Sequence, residues 1–158
     1  MSTPDFILAL RAKIGHDPLT LPGVTAVVFD EADRVLLVCR SDNGRWALVT
    51  GCLEPGEQPA IGAVREIEEE TGVRAIVERL VSVDALALRE CPNGDLVYWL
   101  DTTFRCRAVS SEAWVNDDES VDVGWFDPAG DDFPPLPPRE MKCIEDARSS
   151  SAEAAFAM

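Results

Sequence analysis

The order of apolar and polar residues predicts strands and turns along most of the chain, with helical spacing in three segments. Residues 3–14 carry apolar side chains three and four apart, which predicts a helix with Thr3 as its cap. Residues 59–71 show the same spacing and are followed by Gly72, a residue typical of helix ends. We expect a third helix over residues 139–148.

Runs of apolar and β-branched residues predict the strands. These runs are 24–29, 35–40, 46–49, 73–88, 96–109 and 121–126. Asp30 to Asp33 is expected to join the first two as a hairpin, and Cys91-Pro92-Asn93-Gly94 to form the turn between the two longest. We expect a loop at 127–138, which is rich in Pro, Asp and Gly, and a frayed tail at 149–158.

The chain has 158 residues, a length that suits one domain with a single core. We therefore expect one domain over residues 1–158, in which residues 1–19 supply an N-terminal helix and turn. Strands followed by helices of this kind predict an α/β or α+β class with a mixed sheet.

Charge and composition narrow the classes of function. The chain carries 14 basic and 29 acidic residues, a net charge of −15, which disfavours nucleic acid as a partner. No apolar run reaches the ~18 residues that a membrane span requires, so no membrane partner is expected. The 5 cysteines are odd in number and form no C-x-x-C pair, which favours the cytoplasm over an oxidising compartment.

A cluster of acids lies where a helix disfavours it. Glu66, Glu69 and Glu70 stand at i, i+3 and i+4, so their carboxylates share one helical face near its negative end. Like charges at this spacing destabilise a helix by roughly 0.2–0.5 kcal/mol per pair. Clustered carboxylates suit Mg²⁺, or alternatively Mn²⁺. The competing interpretation is a solvated acidic face, in which Arg65 pairs with Glu68 or Glu69.

The spacing of the whole segment favours the metal site. Residues 51–73 fit the pattern G-x5-E-x7-R-E-U-x-E-E-x-G-U, where U is aliphatic. The constrained positions are Gly51, Glu57, Arg65, Glu66, Ile67, Glu69, Glu70, Gly72 and Val73. The chain thereby resembles the Nudix hydrolase family, whose motif this is. Val49-Thr50 stand where many relatives have Pro-Gly, which leaves the shape of the entering loop open.

The resemblance implies an α/β/α sandwich with a mixed sheet, in which the motif forms a loop-helix-loop. It assigns a metal site to Glu57, Glu66, Glu69, Glu70 and the carbonyl of Gly51. It also implies that Arg65 orients the glutamates. The resemblance further implies a homodimer as one expected state, since many relatives are homodimers.

The same resemblance implies a metal-dependent pyrophosphohydrolase that cleaves the diphosphate of a nucleoside diphosphate linked to another moiety. Glu66 and Glu119 are both candidates for the general base, and a solvated acidic loop is the other interpretation of Glu119. Arg40 and Arg45 are candidates to bind phosphates, and Trp46 to stack on a base. Ordinary surface and core roles are the alternatives for these three.

The substrate stays open at this point. A nucleotide sugar such as ADP-ribose, a dinucleotide and a nucleoside triphosphate are all candidates. Neither a Ser-Gln-Pro-Trp run, typical of NADH-cleaving relatives, nor a proline at the position typical of ADP-ribose cleavers is present, the nearest being Pro92. The alternatives are a Nudix-fold nucleotide-binding module without catalysis, and an isopentenyl diphosphate isomerase, for which we find no Cys-plus-Glu pairing.

Overall fold

The computed structural model describes residues 3–91 and 93–156, and these form three helices and eight strands of an α/β fold. The helices are α1 (Asp5–Ile14), α2 (Pro59–Thr71) and α3 (Pro138–Arg148). The strands are β1 (Leu19–Phe29), β2 (Val35–Arg40), β3 (Trp46–Ala47), β4 (Val49–Cys52), β5 (Ala75–Ala85), β6 (Arg89–Glu90), β7 (Leu96–Ala108) and β8 (Ser120–Phe126). The predicted fold class is confirmed. Pro92 and the last two residues of the predicted tail lie outside the described residues.

The long strand β1 organises one mixed sheet. Its neighbours run in the order β3-β2-β1-β7-β5, and β4, β6 and β8 pair with β1, β7 and β2 respectively. β1 and β7 are parallel over their whole shared length, from Leu19 opposite Val97 to Phe29 opposite Arg107. The other strand pairs are antiparallel. The parallel pair brings together residues far apart in sequence, and the functional site depends on it.

Side chains alternate between the two faces of β1, and each face carries its own core. Val24, Ala26 and Val28 pack with Ile67 of α2 on one face. On the opposite face, Val27 and Phe29 pack with residues of α3. The sheet is therefore covered by helices on both sides, which is the sandwich that the resemblance implied.

Three local predictions differ from the structure. α1 begins after Pro4 without any side-chain cap, and the hydroxyl of Thr3 instead accepts a hydrogen bond from Asn93 Nδ2. β1 starts at Leu19, earlier than predicted, because parallel pairing with β7 extends it. The strand expected at 46–49 is divided into β3 and β4, and β4 continues to Cys52 because it pairs along β1.

The helix and turn signals of the remaining segments are confirmed. α2 spans the predicted residues and ends at Gly72, whose φ of 66° and ψ of −2° lie in the left-handed region. The segment after α3, which was expected to be frayed, makes a backbone contact with the sheet, since Ala155 donates its N–H to the Val81 carbonyl at 2.7 Å. Within residues 3–91 and 93–156, no helix is long and apolar enough to cross a membrane.

Candidate active site

The loop before α2 is pressed closely onto that helix. A Cβ on Gly62 would lie 2.3 Å from Leu53 Cδ2 and 2.9 Å from Glu57 Oε2, so only glycine fits there. The Glu57 carboxylate also accepts a hydrogen bond from the backbone N–H of Glu54 at 3.0 Å. The absent side chain at position 62 thus allows Glu57 to reach the helix that carries the other acids.

Arg65 joins these acids into one network. Its Nε and Nη2 donate to the two oxygens of Glu57 at 2.8 and 2.9 Å. Its Nη1 donates to Glu66 Oε1 at 2.8 Å and to Glu69 Oε2 at 2.9 Å. The Cys52 carbonyl accepts a further bond from Nη2 at 3.1 Å. Arg65 therefore sets the positions of three of the predicted acids and of the loop.

Glu66 lies against the backbone of Gly51. A Cβ on Gly51 would lie 1.9 Å from Glu66 Cδ, so the carboxyl occupies the space that any other residue would fill. Glu66 is 2% exposed, and its Oε2 is buried without a hydrogen-bond partner. Burial raises the pKa of Glu66 to about 7, against the lowering effect of Arg65.

Glu70 lies one turn further along the same buried face and is 5% exposed. Burial, together with the negative charges of Glu66, Glu119 and Asp117, raises its pKa to about 9. Glu69, by contrast, has a side chain that is 57% exposed. The predicted shared face is thus divided, since Glu66 and Glu70 point inward and Glu69 lies on the flank held by Arg65.

The loop before β8 brings two more acids to this face. The backbone N–H of Asn116 donates to the Glu70 carbonyl at 3.1 Å, and Asn116 Nδ2 donates to the Glu68 carbonyl at 3.0 Å. These two hydrogen bonds hold the loop against the end of α2. Asp117 and Glu119 of this loop both act electrostatically on Glu70. Sequence reasoning identified Glu119 but missed Asp117, although both lie in the same acidic run.

These residues fit a divalent cation. Buried polar atoms normally have partners, so a buried carboxylate oxygen without one, beside a second buried carboxylate, indicates a missing positive charge. Among the described residues, no three Asp, Glu, His or Cys side chains already form a metal cage. Mg²⁺ typically uses only one or two carboxylates and keeps waters for substrate phosphates, so a full cage is not required.

A cavity of about 240 Å³ opens on the other side of β4 from α2. Its wall includes Arg40, Thr50, Gly51, Trp99, Arg139 and Glu140. Arg40 lines the cavity and also lies near the acids of α2. Its hydrogen bond to Asp42 is the main cause that raises the pKa of its guanidinium, and the negative charges of Glu119 and Glu70 raise it as well. The cavity thus reaches the acidic face through Arg40 and Gly51.

The other two predicted substrate residues lie elsewhere. Trp46 packs edge-on against Phe126, with ring centroids 4.7 Å apart, and Arg45 is exposed. Neither lines the cavity. The position of Trp46 matches the core role that was the alternative.

A larger, open groove of about 650 Å³ lies on the outer flank of α2. Its wall is mostly apolar, with Ile61 and Ile76 exposed, and it includes Arg65 and Glu69. The two buried acids line neither this groove nor the smaller cavity. The smaller cavity is the better candidate for a substrate, because its wall includes Arg40 and Gly51, and Gly51 lies against the carboxyl of Glu66.

Known proteins share both the sequence and the fold. A MutT-like protein of Streptomyces ambofaciens is 36% identical over 111 residues, which are 70% of this chain and 66% of that protein. Nudix hydrolase 6 of Arabidopsis thaliana is 31% identical over 132 residues, which cover 74% of this chain and 45% of that protein. The chain thus spans less than two thirds of the length of these curated relatives.

A solved ADP-ribose pyrophosphatase from Streptococcus suis 89-1591 matches with a TM-score of 0.63 and 27% identity, covering 85% of this chain and 96% of that one. A solved UDP-X diphosphatase matches with the same TM-score of 0.63 and 26% identity, covering 90% and 68%. The NUDIX domain profile matches residues 19–144. This chain therefore belongs to the NUDIX domain family.

Proposed function

We propose that this protein is a metal-dependent hydrolase that cleaves the diphosphate linkage of a nucleoside diphosphate joined to another moiety. The observation that carries the proposal is the pair of buried acids, Glu66 and Glu70, on one face of α2. One of their oxygens is buried without a partner beside Gly51. A protein gains nothing in stability from such a pair alone, which favours a role in binding a cation.

Mg²⁺ is the expected ion, with Mn²⁺ as a substitute. Glu70, Glu66, Glu69 and Glu57 would hold it, together with the carbonyl of Gly51. When bound, the ion supplies positive charge that polarises phosphoryl oxygens and lowers the pKa of a coordinated water. Burial and neighbouring carboxylates raise the pKa values of Glu66 and Glu70, and a bound cation would favour their deprotonated forms.

The remaining steps belong to the side chains of this chain. Arg65 orients Glu57, Glu66 and Glu69 through its four hydrogen bonds to their carboxylates. Arg40, which lines the adjoining cavity, is placed to bind a substrate phosphate. Glu66 or Glu119 takes the proton of the attacking water, since both lie near Glu70.

The relatives are consistent with this reaction class. The matching structures include proteins named as an ADP-ribose pyrophosphatase and a UDP-X diphosphatase. Nucleotide sugars, dinucleotides and nucleoside triphosphates are accordingly the substrates to test. The competing proposal is a nucleotide-binding module without catalysis, but the intact set of acids favours the enzyme.

Turnover of a panel of these substrates by the full chain, with Mg²⁺, Mn²⁺ or excess EDTA, tests the proposal. We expect phosphate-containing products that require the metal and appear only when the substrate has a diphosphate linkage. Calorimetric titration of the same compounds measures binding separately. Tight binding without turnover of any compound, at saturating metal, would establish the binding module instead.

A further inference from the structure

We propose that Arg139 is the residue that selects the substrate, by donating hydrogen bonds to a nucleobase that carries a carbonyl oxygen where adenine or cytosine carries its amino group. Guanine and uracil are bases of this kind. The inference rests on the proposed function, because it assigns the nucleotide end of the same substrate to the cavity beside Gly51. Four features of that cavity support this role of Arg139.

The first feature is the anchor beneath Arg139. Asp101 of β7 is buried, and its carboxylate accepts hydrogen bonds from Thr25 Oγ1 at 2.9 and 3.1 Å and from Thr103 Oγ1 at 3.2 Å. Arg139 Nη2 donates to the same carboxylate. Asp101 therefore has its acceptors occupied and acts as a support that fixes the guanidinium.

The second feature is the unused donor capacity of Arg139. A guanidinium has five N–H donors and no acceptor. Nη2 bonds to Asp101, Nη1 makes only a long contact of 3.5 Å with Thr25 Oγ1, and Nε is buried without a partner. About a third of the side chain remains exposed, at the wall of the cavity. A ligand in the cavity thus meets donors that are held in place.

The third feature is the indole of Trp99, which lines the same cavity as Arg139. A Cβ on Gly23 would lie 3.0 Å from Trp99 Cε3, 3.3 Å from Asp101 Oδ1 and 3.6 Å from the Gly51 carbonyl oxygen. A side chain at position 23 would therefore press on the indole, the anchor and the loop of the acidic site, which all meet at this wall of the cavity. Aromatic faces of this kind bind bases by stacking.

The fourth feature is the size and charge of the cavity. Its volume of about 240 Å³ lies below the ~300–1,000 Å³ of pockets that hold whole ligands, so it suits one ring system. Its wall carries Arg40, Arg89 and Arg139 together with Asp101 and Glu140, and Asp101 already pairs with Arg139, so the surroundings of Arg139 itself suit an uncharged acceptor. An uncharged acceptor on a flat ring satisfies Arg139 and also stacks on Trp99.

The chemistry of the bases then sets the preference. Guanine presents carbonyl and ring-nitrogen acceptors on one edge, and arginine binds both of them at once. Adenine presents an amino donor at the position of that carbonyl, and cytosine differs from uracil in the same way. A site with a fixed donor rejects a ligand that offers it another donor, because both groups stay unpaired.

The test compares GTP with ATP and UTP with CTP, as pairs that share their phosphates, using the full chain with Mg²⁺. We expect kcat/KM for the oxo-base of each pair to be at least ~10-fold higher, mainly through KM. Arg139→Met should remove most of this ratio by weakening the oxo-base substrate. Arg148→Met, an exposed arginine of the same helix, is the matched control and should keep the ratio.

Because Arg139→Met also leaves Asp101 without its cation, Gly23→Ala is a second variant that keeps the pair. We expect it to fill the cavity and to weaken GDP and ADP alike, as measured by calorimetry without turnover. Calorimetry also separates the two proposals, since a base preference in binding is detectable even if no substrate is hydrolysed.

Three results would overturn the assignment of Arg139. One is an equal preference within both nucleotide pairs for the unmodified protein. In another, Arg139→Met changes neither the ratios nor kcat/KM. In the third, Arg139→Met lowers kcat/KM equally for all four nucleotides and so leaves both ratios unchanged, which would indicate that Arg139 binds a phosphate and not a base.

Discussion

Two of the places where the molecule buries carboxylates differ in the positive charge that the protein supplies to them. Asp101 accepts hydrogen bonds from two threonine hydroxyls and from Arg139, a cation of the protein itself. Glu66 and Glu70 lie side by side on α2, with one oxygen unpartnered and both pKa values raised by burial. A buried acid that is paired with a cation of the protein, such as Asp101, stabilises the fold. A buried pair of acids that lacks enough positive charge, such as Glu66 and Glu70, indicates that a cation binds from solution.

The first prediction removes one acid of the pair. We expect Glu70→Gln to lower kcat by on the order of 10³-fold, since metal charge contributes several kcal/mol to such transition states. The fold should persist, because glutamine has nearly the shape of the protonated carboxyl that burial favours at this position. Activity assays at saturating Mg²⁺ and urea unfolding measure the two effects. Glu68→Gln, on the exposed side of the same helix, is the control.

Near-normal turnover of Glu70→Gln at saturating Mg²⁺ would contradict the metal role of that face. Glu69→Gln is expected to lower activity as well, because Glu69 is both a predicted ligand and a partner of Arg65.

The second prediction makes the opposite change in the other region. Asp101→Asn should destabilise the fold by about 3 kcal/mol, since removing one partner of a buried ion pair leaves the other charge unpaired. Asp84→Asn, at the register position opposite Asp101 in β5, should change stability by less than about 1 kcal/mol. Urea unfolding of the three proteins measures the difference.

The contrast between the two regions is lost if Asp101→Asn leaves stability unchanged while Glu70→Gln unfolds the protein. In that case the α2 pair, and not the Asp101 cluster, would be the structural one.

These two regions also differ in how far the sequence predicts them. The acids of α2 are neighbours in one helix, so their spacing alone places them together, and Gly72 marks where the helix ends. Asp101 and Arg139 are 38 residues apart, and Thr25 lies 76 residues from Asp101. Thr25 meets Asp101 because β1 pairs in parallel with β7, and Arg139 reaches them because α3 packs on this face of the sheet. No local pattern records that register.

Burial is the second property that sequence spacing does not supply. Helical periodicity placed Glu66, Glu69 and Glu70 on one face, but only the packing of β4 against α2 separates the buried pair from exposed Glu69. The same limit applies to Trp46, whose ring packs against Phe126 in the core. Aromatic side chains at strand positions look alike in sequence whether they face a core or a cavity.

The third prediction distinguishes the two candidate bases beside the pair. If Glu119 takes the proton of the attacking water, Glu119→Gln lowers kcat by ~10²-fold or more. Asp118→Asn, next to it in the same loop, should have little effect. Rates at saturating substrate and Mg²⁺ provide the measurement. A near-neutral Glu119→Gln variant would assign the base to Glu66.

The pH dependence of the free energy of unfolding also distinguishes the α2 pair, Glu66 and Glu70, from the paired Asp101. A carboxyl whose pKa is raised on folding keeps its proton after the unfolded chain has lost its own, so its contribution is fully present below the unfolded pKa of ~4.3 and is lost as pH rises. With Glu66 at about 7 and Glu70 at about 9, the metal-free protein should lose stability between pH 6 and 8. The expected fall in the free energy of unfolding is on the order of 4 kcal/mol, because each pH unit is worth ~1.4 kcal/mol per proton, and Glu70 keeps its proton over both units while Glu66 loses most of its own.

Urea unfolding in EDTA across this range measures the slope, and Glu70→Gln should flatten it. Asp101→Asn should retain the slope, since its carboxylate is paired within the protein and the pair on α2 is untouched. Saturating Mg²⁺ should reverse the trend, because the ion binds the deprotonated carboxylates and stabilises the fold more as they lose their protons. A metal-free protein whose stability rises from pH 6 to 8 would mean that Arg65 and the rest of the fold already supply enough positive charge to keep Glu66 and Glu70 ionised, and the difference between the two regions would then disappear.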